Sequence, residues 1–255
     1  EKKITKKTKA IIVVHAFGHS AKMDQILDIA SRYDLKIIED VAEAPGAYYK
    51  KNPLGGLGDL ACFSFFGNKI MTCGEGGMIV TSDEGLKKRI ELLRDHGMSK
   101  EKRYFHEELG FNYRMTNLQA AVGLAQLERL PEILDARDDQ EKLYERYLQD
   151  CDGLSFRPKQ EWCKTVHWLM TITLKKQNLR DKLISFLKTE GIDCRQMVFP
   201  IHMALHFDDE FGREDFPIAT DISLNSLHLP SSNLVNEEQI KKISALILKW
   251  MEQNG

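Results

Sequence analysis

A strand-helix-strand pattern near the start of the chain restricts the fold more than any other feature. The apolar run Ala10 to Val14 is too short for a helix and predicts a buried strand. Apolar residues at helical spacing follow, with Ser20 predicted as the helix cap: Met23, Ile26, Leu27 and Ala30. A second short apolar stretch, Leu35 to Ile38, ends in Glu39 and Asp40. This order predicts a βαβ unit, with parallel strands covered on both faces and a ligand site at their carboxyl ends.

Further elements alternate along the chain. Strands are predicted at Ala47 to Tyr49, Leu60 to Phe65, Met78 to Thr81 and Trp168 to Leu174. Ser82 is predicted to cap one helix, and Thr116 with Gln119 forms the capping box of another. Pro131 marks a break, so we expect a large domain over residues 1–131 and a small α+β domain over residues 132–255.

Composition excludes several classes of protein. The 36 Lys and Arg residues nearly cancel the 38 Asp and Glu residues in this 255-residue chain, which argues against a nucleic-acid partner. No apolar run reaches the ~18 residues of a membrane span, so no membrane partner is expected. Five scattered cysteines fit a reducing, cytoplasmic setting. The one close histidine pair, His15 and His19, lacks a third ligand at metal-site spacing, so no metal is predicted.

The densest group of unusual residues is the segment CFSFFGNKIMTCGEGG, residues 62–77. Lys69 follows an aromatic-rich strand and precedes a glycine-rich stretch, where burial lowers the pKa of an amine and makes it nucleophilic. Taken alone, an ordinary lysine at a sheet edge is the more common explanation.

Asp40 forms a second candidate group. A carboxylate at the end of a buried parallel strand needs a cation or a donor, and a protonated pyridine nitrogen is one such partner. A cap on the following turn explains Asp40 equally well when it is considered alone. The glycines of Gly56-Leu57-Gly58 and of 74–77 resemble nucleotide-binding loops only superficially, because the third glycine and the helix start are missing from the first and the lysine precedes the second.

Several motifs in succession carry a resemblance to a known family. They are IIEDVAEAPGAYYKKNPLGGLGDLACFSFFGNK, LRDHGMSK, GFNYRMTNLQAA, GIDCRQMVFPIHMALH and NSLHLPSS. The chain resembles the DegT/DnrJ/EryC1/StrS sugar aminotransferases, and within them the GDP-perosamine synthases. The resemblance implies an α/β fold of the type I class of pyridoxal 5'-phosphate (PLP) enzymes: a mostly parallel large domain and a small α+β C-terminal domain. It also implies that a phosphate-binding turn and a stacking aromatic precede Glu1, so that the chain is N-terminally truncated.

The resemblance also assigns cofactor-binding residues. Lys69 aligns with the lysine that holds PLP covalently and then carries a proton, which makes it the catalytic residue. Asp40 aligns with the carboxylate that keeps the pyridine nitrogen protonated, and Ser64 with a hydroxyl donor to the phosphate. Glu43 occupies a position near the cofactor's phenolic oxygen. Asn112 aligns with an asparagine that reaches the neighbouring subunit's site, which implies a homodimer with a shared active site.

Substrate-binding residues follow in the same way. Arg114 and Arg195 are candidates to bind the carboxylate of a glutamate amino donor, although a structural role is the commoner explanation for Arg195. His202 is a candidate for the sugar pocket. The implied reaction transfers an amino group from glutamate to a nucleotide-linked 4-keto-6-deoxy sugar. A non-catalytic remnant or sugar-nucleotide binding module of the same fold, and a PLP enzyme with another reaction, remain alternatives.

Overall fold

The βαβ unit predicted near the start of the chain is present in the computed structural model. β1 (Ala10–Val14) and β2 (Lys36–Asp40) are joined by α1 (Met23–Tyr33). The two strands pair in parallel, with Val14 opposite Asp40. Asp40 therefore lies at the carboxyl edge of the sheet, where a parallel sheet binds its ligands.

Two later strands complete the sheet. β5 (Leu60–Ser64) pairs in parallel with β2, and β6 (Gly77–Val80) pairs antiparallel with β5. The strand order is β1-β2-β5-β6. Both later strands lie within a residue of their predicted bounds, and the prediction of a mostly parallel sheet is confirmed.

The helix starts show which caps the sequence identifies correctly. The capping box at Thr116 is confirmed and opens α3 (Asn117–Glu128). The Ser82 prediction is wrong by one residue, because the Asp83 carboxylate accepts the Leu86 N–H at the start of α2 (Glu84–Arg94).

The Ser20 prediction is also wrong. Lys22 takes the cap position of α1 and makes no side-chain cap hydrogen bond. The Ser20 hydroxyl instead donates to the Ala21 carbonyl at 2.7 Å, because a short polar side chain readily bonds its own local backbone.

Contacts divide the chain into two compact units. The first contains Glu1–Leu134 and Gln160–Trp168, and the second contains Asp135–Lys159 and Leu169–Gly255. The structure describes residues 1–204 and 216–255. Leu205 and His206, the last residues of the motif GIDCRQMVFPIHMALH, lie outside the described part.

The segment Gln160–Trp168 joins the first unit through a small sheet. β3 (Tyr48–Tyr49) pairs with both β4 (Asn52–Pro53) and β8 (Cys163–Lys164). A long helix, α4 (Leu130–Leu148), separates this segment from the earlier part of the first unit in the sequence.

The second unit is an antiparallel sheet with helices. Its strands, in the order β10-β11-β9-β7, are β7 (Leu154–Phe156), β9 (Met170–Leu174), β10 (Arg195–Gln196) and β11 (Ser226–Leu229). Its other helices are α5 (Arg180–Thr189), α6 (Pro217–Asn225) and α7 (Glu237–Asn254). Ile172, Leu183, Leu187, Leu227 and Ile247 are fully buried in its core. Each such side chain contributes about 1.5–3 kcal/mol of burial free energy.

None of the helices within the described residues is both long enough and apolar enough to cross a bilayer.

Candidate active site

Lys69 lies in a loop that closes on itself immediately after β5. The Lys69 N–H donates to the Phe66 carbonyl at 3.0 Å. The Phe65 N–H donates to the Gly76 carbonyl at 2.9 Å, and the Phe65 carbonyl accepts the Cys73 N–H at 3.0 Å. These backbone hydrogen bonds fix the start of the Lys69 side chain at the end of the sheet.

The side chain of Lys69 is mostly buried, with 13% of its surface exposed. Its Nζ lies 3.8 Å from the centre of the Trp168 ring and 3.9 Å from Glu43 Oε1. Burial lowers the pKa of the amine, and this outweighs the charges of Glu43 and Asp40, which act to raise it. The amine is therefore unprotonated more often than an exposed lysine, as a nucleophilic amine requires.

Glu43 shares the buried surroundings of Lys69. Its Oε2 accepts the Phe17 N–H at 2.6 Å. Burial raises the pKa of Glu43, and the charge of Asp40 adds to the rise, whereas the Phe17 hydrogen bond and the Lys69 charge lower it. A strong ion pair would shift both pKa values the other way, so desolvation dominates over the attraction across 3.9 Å.

Asp40 forms the turn cap that the sequence allows, and its role toward a ring nitrogen stays a prediction. Its Oδ1 accepts the Ala42 N–H at 3.0 Å, which is a cap on the following turn. Its charge also acts on Lys69 and Glu43. Because neighbouring residues of a strand point to opposite faces, Asp40 and Glu39 face different sides of the sheet.

Ser64 ends β5, opposite Gly77 on β6. Its Oγ accepts the Phe66 N–H at 3.4 Å. A hydroxyl that accepts one hydrogen bond keeps its own proton to donate. Ser64 thus retains the donor that the predicted phosphate contact needs.

Asn112 and Arg114 both contact Asp95. Asn112 pairs with Asp95 in an isolated β-bridge, and Arg114 Nη1 lies 3.2 Å from Asp95 Oδ2. Both side chains are exposed. They remain predicted binding residues on an accessible surface.

Arg195 and His202 belong to the second unit. Arg195, on β10 opposite His228, lines a cavity of about 530 Å³. His202 is buried, with Nε2 3.0 Å from Thr220 Oγ1 and its ring against Phe216. Their predicted roles toward a substrate stay predictions.

Comparison with known proteins identifies the family. The model of the DegT/DnrJ/EryC1/StrS aminotransferase family matches residues 1–248. The chain belongs to this family. Its relatives include GDP-perosamine synthases from Caulobacter vibrioides, 42% identical over 96% of this chain and 66% of the relative, and from Escherichia coli O157:H7, 36% identical over 94% and 65%. The chain spans about two thirds of the length of these curated relatives.

Solved structures of the family confirm the predicted fold class. DesV from S. venezuelae, 32% identical, superposes with a TM-score of 0.91 over 98% of this chain and 67% of that chain. The chain therefore has the fold of the PLP-dependent sugar aminotransferases. In this family member, the residues that surround Lys69 also fit that cofactor: a desolvated amine suits an aldehyde, and a carboxylate at the sheet edge suits a basic ring nitrogen.

Trp168 and Phe17 are residues of the site that the sequence did not identify. The sequence predicts Trp168 as the first residue of a strand, whereas β9 begins at Met170. Trp168 ends the segment that joins the first unit, and no local pattern reveals a contact with Lys69 across 99 residues. Phe17 carries the signal of a strand-to-loop transition after β1, but nothing in the sequence points it toward Trp168.

The glycines at 55–58 have a role that their sequence disguises. The backbone N–H groups of Gly55, Leu57 and Gly58 donate to the Glu39 carboxylate at 2.7–3.0 Å. His15 Nε2 lies 3.2 Å from the same carboxylate. The loop thus binds an internal anion, which explains its likeness to a phosphate-binding loop.

The His15 tautomer follows from its second contact. The Ala21 N–H donates to His15 Nδ1 at 3.2 Å, so Nδ1 is the acceptor and Nε2 carries the proton toward Glu39.

Within the described residues, no group of three or more His, Cys, Asp or Glu side chains has a geometry that could hold a metal ion.

Proposed function

We propose that this protein is a PLP-dependent aminotransferase that moves an amino group from glutamate to a nucleotide-linked 4-keto-6-deoxy sugar. The observation that carries the proposal is Lys69, a desolvated amine held in a closed loop at the carboxyl edge of the sheet. The names of the relatives favour a GDP-linked sugar and a product of the perosamine type. The setting would be the biosynthesis of polysaccharide or O-antigen sugars.

Lys69 is the proposed catalytic residue. When bound, PLP supplies an aldehyde that accepts an amine and a ring that withdraws electrons. The buried Lys69 amine would hold the aldehyde carbon through Nζ, with loss of water, and its lowered pKa favours the unprotonated form that carries the lone pair. In the later proton transfer, the same Nζ would accept and return the proton of the substrate carbon.

Three further residues would orient the cofactor. The Asp40 carboxylate lies at the edge of β2, where it would stabilise a proton on the ring nitrogen. The Ser64 hydroxyl would donate a hydrogen bond to the phosphate. Glu43 would lie near the phenolic oxygen, and because its pKa is raised it would take up a proton more readily than an ordinary carboxylate, which would reduce their repulsion.

The substrate side is proposed from residue chemistry. A guanidinium binds the carboxylate of glutamate with two parallel hydrogen bonds, which Arg114 or Arg195 would supply. Arg114 is exposed, and among the described residues its ion-pair partner is Asp95, which it can exchange for a ligand. His202 is proposed to line the sugar pocket.

A homodimer with a shared active site is part of the same proposal, with Asn112 reaching the cofactor phosphate of the partner. Support comes from α3, which has no buried residue although many of its side chains are apolar. Leu118, Leu124 and Leu127 are each more than half exposed. An exposed apolar patch of this kind marks a protein interface, and a second copy of the chain is the proposed occupant.

Reduced cysteines support a cytoplasmic location, since all five are free.

The proposed function is tested by following the amino group from glutamate to the keto sugar. Purified protein with PLP and glutamate is expected to release 2-oxoglutarate and then to aminate a GDP-linked 4-keto-6-deoxy sugar, detected by mass spectrometry. The variant Lys69→Arg keeps the positive charge but cannot bind an aldehyde, so both signals should vanish. The same sugar linked to UDP tests the nucleotide.

The outcomes separate the alternatives. Failure to release 2-oxoglutarate, with PLP bound, would refute the aminotransferase and favour another PLP reaction. Binding of the nucleotide sugar without any PLP would favour the non-catalytic binding module. Turnover by a protein that remains monomeric in light scattering would refute the shared site.

A further inference from the structure

We propose that Trp168 is a positioning residue for the Lys69 amine. Phe17 holds the Trp168 ring, and Glu43 holds both Phe17 and the Lys69 amine. The set Lys69, Glu43, Phe17 and Trp168 is called the Lys69 cluster below. The proposed position of the amine does not depend on the proposed function. Only the reaction of Lys69 with PLP rests on it.

Trp168 is attached to the Lys69 loop at two points. Its indole Nε1–H donates to the Asn68 carbonyl at 2.8 Å. Its ring face lies 3.8 Å from Lys69 Nζ. Since one bond holds the ring edge to residue 68 and the other contact holds the ring face to residue 69, the ring cannot slide without breaking one of them. Trp168 is only 7% exposed, so water competes little for either contact.

Phe17 also packs against the Trp168 ring. Their rings are stacked, with centroids 5.9 Å apart and planes 16° from parallel. Phe17 adopts a left-handed backbone conformation, with φ of 53°. This conformation is unusual for a bulky residue and persists only where surrounding contacts enforce it. The hydrogen bond from the Phe17 N–H to Glu43 is such a contact.

Glu43 completes a closed circuit of contacts. One of its oxygens binds Phe17 and the other lies 3.9 Å from Lys69 Nζ. The circuit runs from Lys69 to Glu43, Phe17 and Trp168 and back to the Lys69 loop. Its members come from the segments after β1, β2 and β5 and from Gln160–Trp168, so four distant parts of the sequence fix one amine.

The Lys69 cluster meets the two needs of a lysine that reacts with an aldehyde. The amine must point in one direction, which the Trp168 face ensures, and it must not be held permanently as a cation. The charged groups that act on it are Glu43 and Asp40, and burial outweighs both. Glu43 therefore attracts the amine without raising its pKa above the ordinary value.

The first test reads the position of the amine in the cofactor-free chain. With ¹³C-labelled lysine, the ε-CH₂ resonance of Lys69, assigned by its loss in Lys69→Arg, is expected upfield of the exposed lysines because it lies over an aromatic face. Trp168→Leu should abolish this shift, and Trp168→Phe, which preserves packing but not the Asn68 hydrogen bond, should reduce it.

Trp162→Phe is the matched control. Trp162 lies in the same segment but contacts His19 and Tyr49, so this variant should leave the Lys69 resonance unchanged. An upfield shift that survives in Trp168→Leu, or that is absent in the wild-type chain, would overturn the proposal.

The second test separates the two roles of Glu43. Glu43→Gln keeps an oxygen acceptor for Phe17 but removes the charge, so the upfield shift should remain while the Lys69 pKa, followed by the same resonance, falls further. Glu43→Ala removes both and should reduce the upfield shift as well. An unchanged or higher Lys69 pKa in Glu43→Gln would contradict the assigned role.

The third test links position to reaction. Trp168→Leu should slow the covalent capture of added PLP at Lys69 by roughly tenfold or more, with Trp162→Phe at the wild-type rate. Equal rates in all three proteins would overturn the positioning role. If no protein captures PLP, the proposed function fails, while the resonance measurements still decide the fate of the Lys69 cluster.

Discussion

Glu39 and Glu43 lie four positions apart in the sequence, and the structure shifts their pKa values in opposite directions. Glu39 is fully buried and receives hydrogen bonds from three backbone N–H groups and from His15. Burial acts to raise its pKa, but these hydrogen bonds together hold the pKa below its ordinary value. Glu43 receives one hydrogen bond from Phe17, and its pKa is raised.

The difference shows what a buried carboxylate needs in order to be structural. A complete set of donors compensates for the lost hydration and stabilises the charge in the folded state. An incomplete set leaves the group easy to protonate and sensitive to its neighbours, which is typical of a functional site. We therefore propose that Glu39 stabilises the fold and that Glu43 serves the chemistry of Lys69.

Replacing Glu39 by Ala should produce the largest change. The variant leaves three buried N–H groups and His15 without their acceptor, which should lower the free energy of unfolding by about 3–5 kcal/mol. Urea denaturation measures the loss. Glu43→Gln is the control and should change stability far less. Similar losses in the two variants would remove the distinction between the carboxylates.

Gly58→Ala should have the next largest effect. A Cβ at this position would lie 2.8 Å from the Ile37 carbonyl oxygen and from Ile37 Cγ2. The collision pushes the loop away from Glu39 and should lower the unfolding free energy by about 1–3 kcal/mol. Gly56→Ala is a suitable control, because its nearest contact is an ordinary 3.7 Å. Equal stability of the two variants would show that the loop tolerates displacement from Glu39.

The smallest effect concerns the pH dependence of stability. The folded-state pKa of Glu43 is raised above its ordinary 4.5, so its contribution is full below pH 4.5 and is lost as the pH rises through the folded-state pKa. Glu43→Gln should therefore gain on the wild type as the pH rises from 4 to 7. For Glu39 the sign is reversed, and its contribution is lost as the pH falls through its lowered pKa. Denaturation series of Glu43→Gln above pH 4.5 and of Glu39→Gln below pH 4.5 check the two slopes, and slopes of the same sign would contradict the assignment.

Much of the fold follows from local patterns. The bounds of β1 agree with the prediction, because five apolar residues without helical spacing leave few alternatives. The Thr116 box also agrees, since both of its partners lie within one turn. Ser82 and Ser20 mislead because several neighbouring polar side chains can serve as a cap, and only the backbone geometry selects one.

The site follows from the sequence only in part. Lys69 and Asp40 stand at strand ends, so the topology brings them to one edge of the sheet. Trp168 could not be foreseen, since its contact with Lys69 depends on the return of Gln160–Trp168 to the first unit. The hydrogen bonds between Glu39 and the loop at 55–58 could not be predicted either. Loop amides that bind a carboxylate and loop amides that bind a phosphate need the same glycines, so the sequence does not tell the two apart.

We propose that Lys69 is the residue that binds the cofactor. Incubation of the protein with PLP, reduction with borohydride and digestion should yield one modified peptide, and fragmentation should place the label on Lys69. In Lys69→Ala the label should be absent. A label on another lysine, or a yellow, borohydride-sensitive protein that persists unchanged in Lys69→Ala, would contradict the claim.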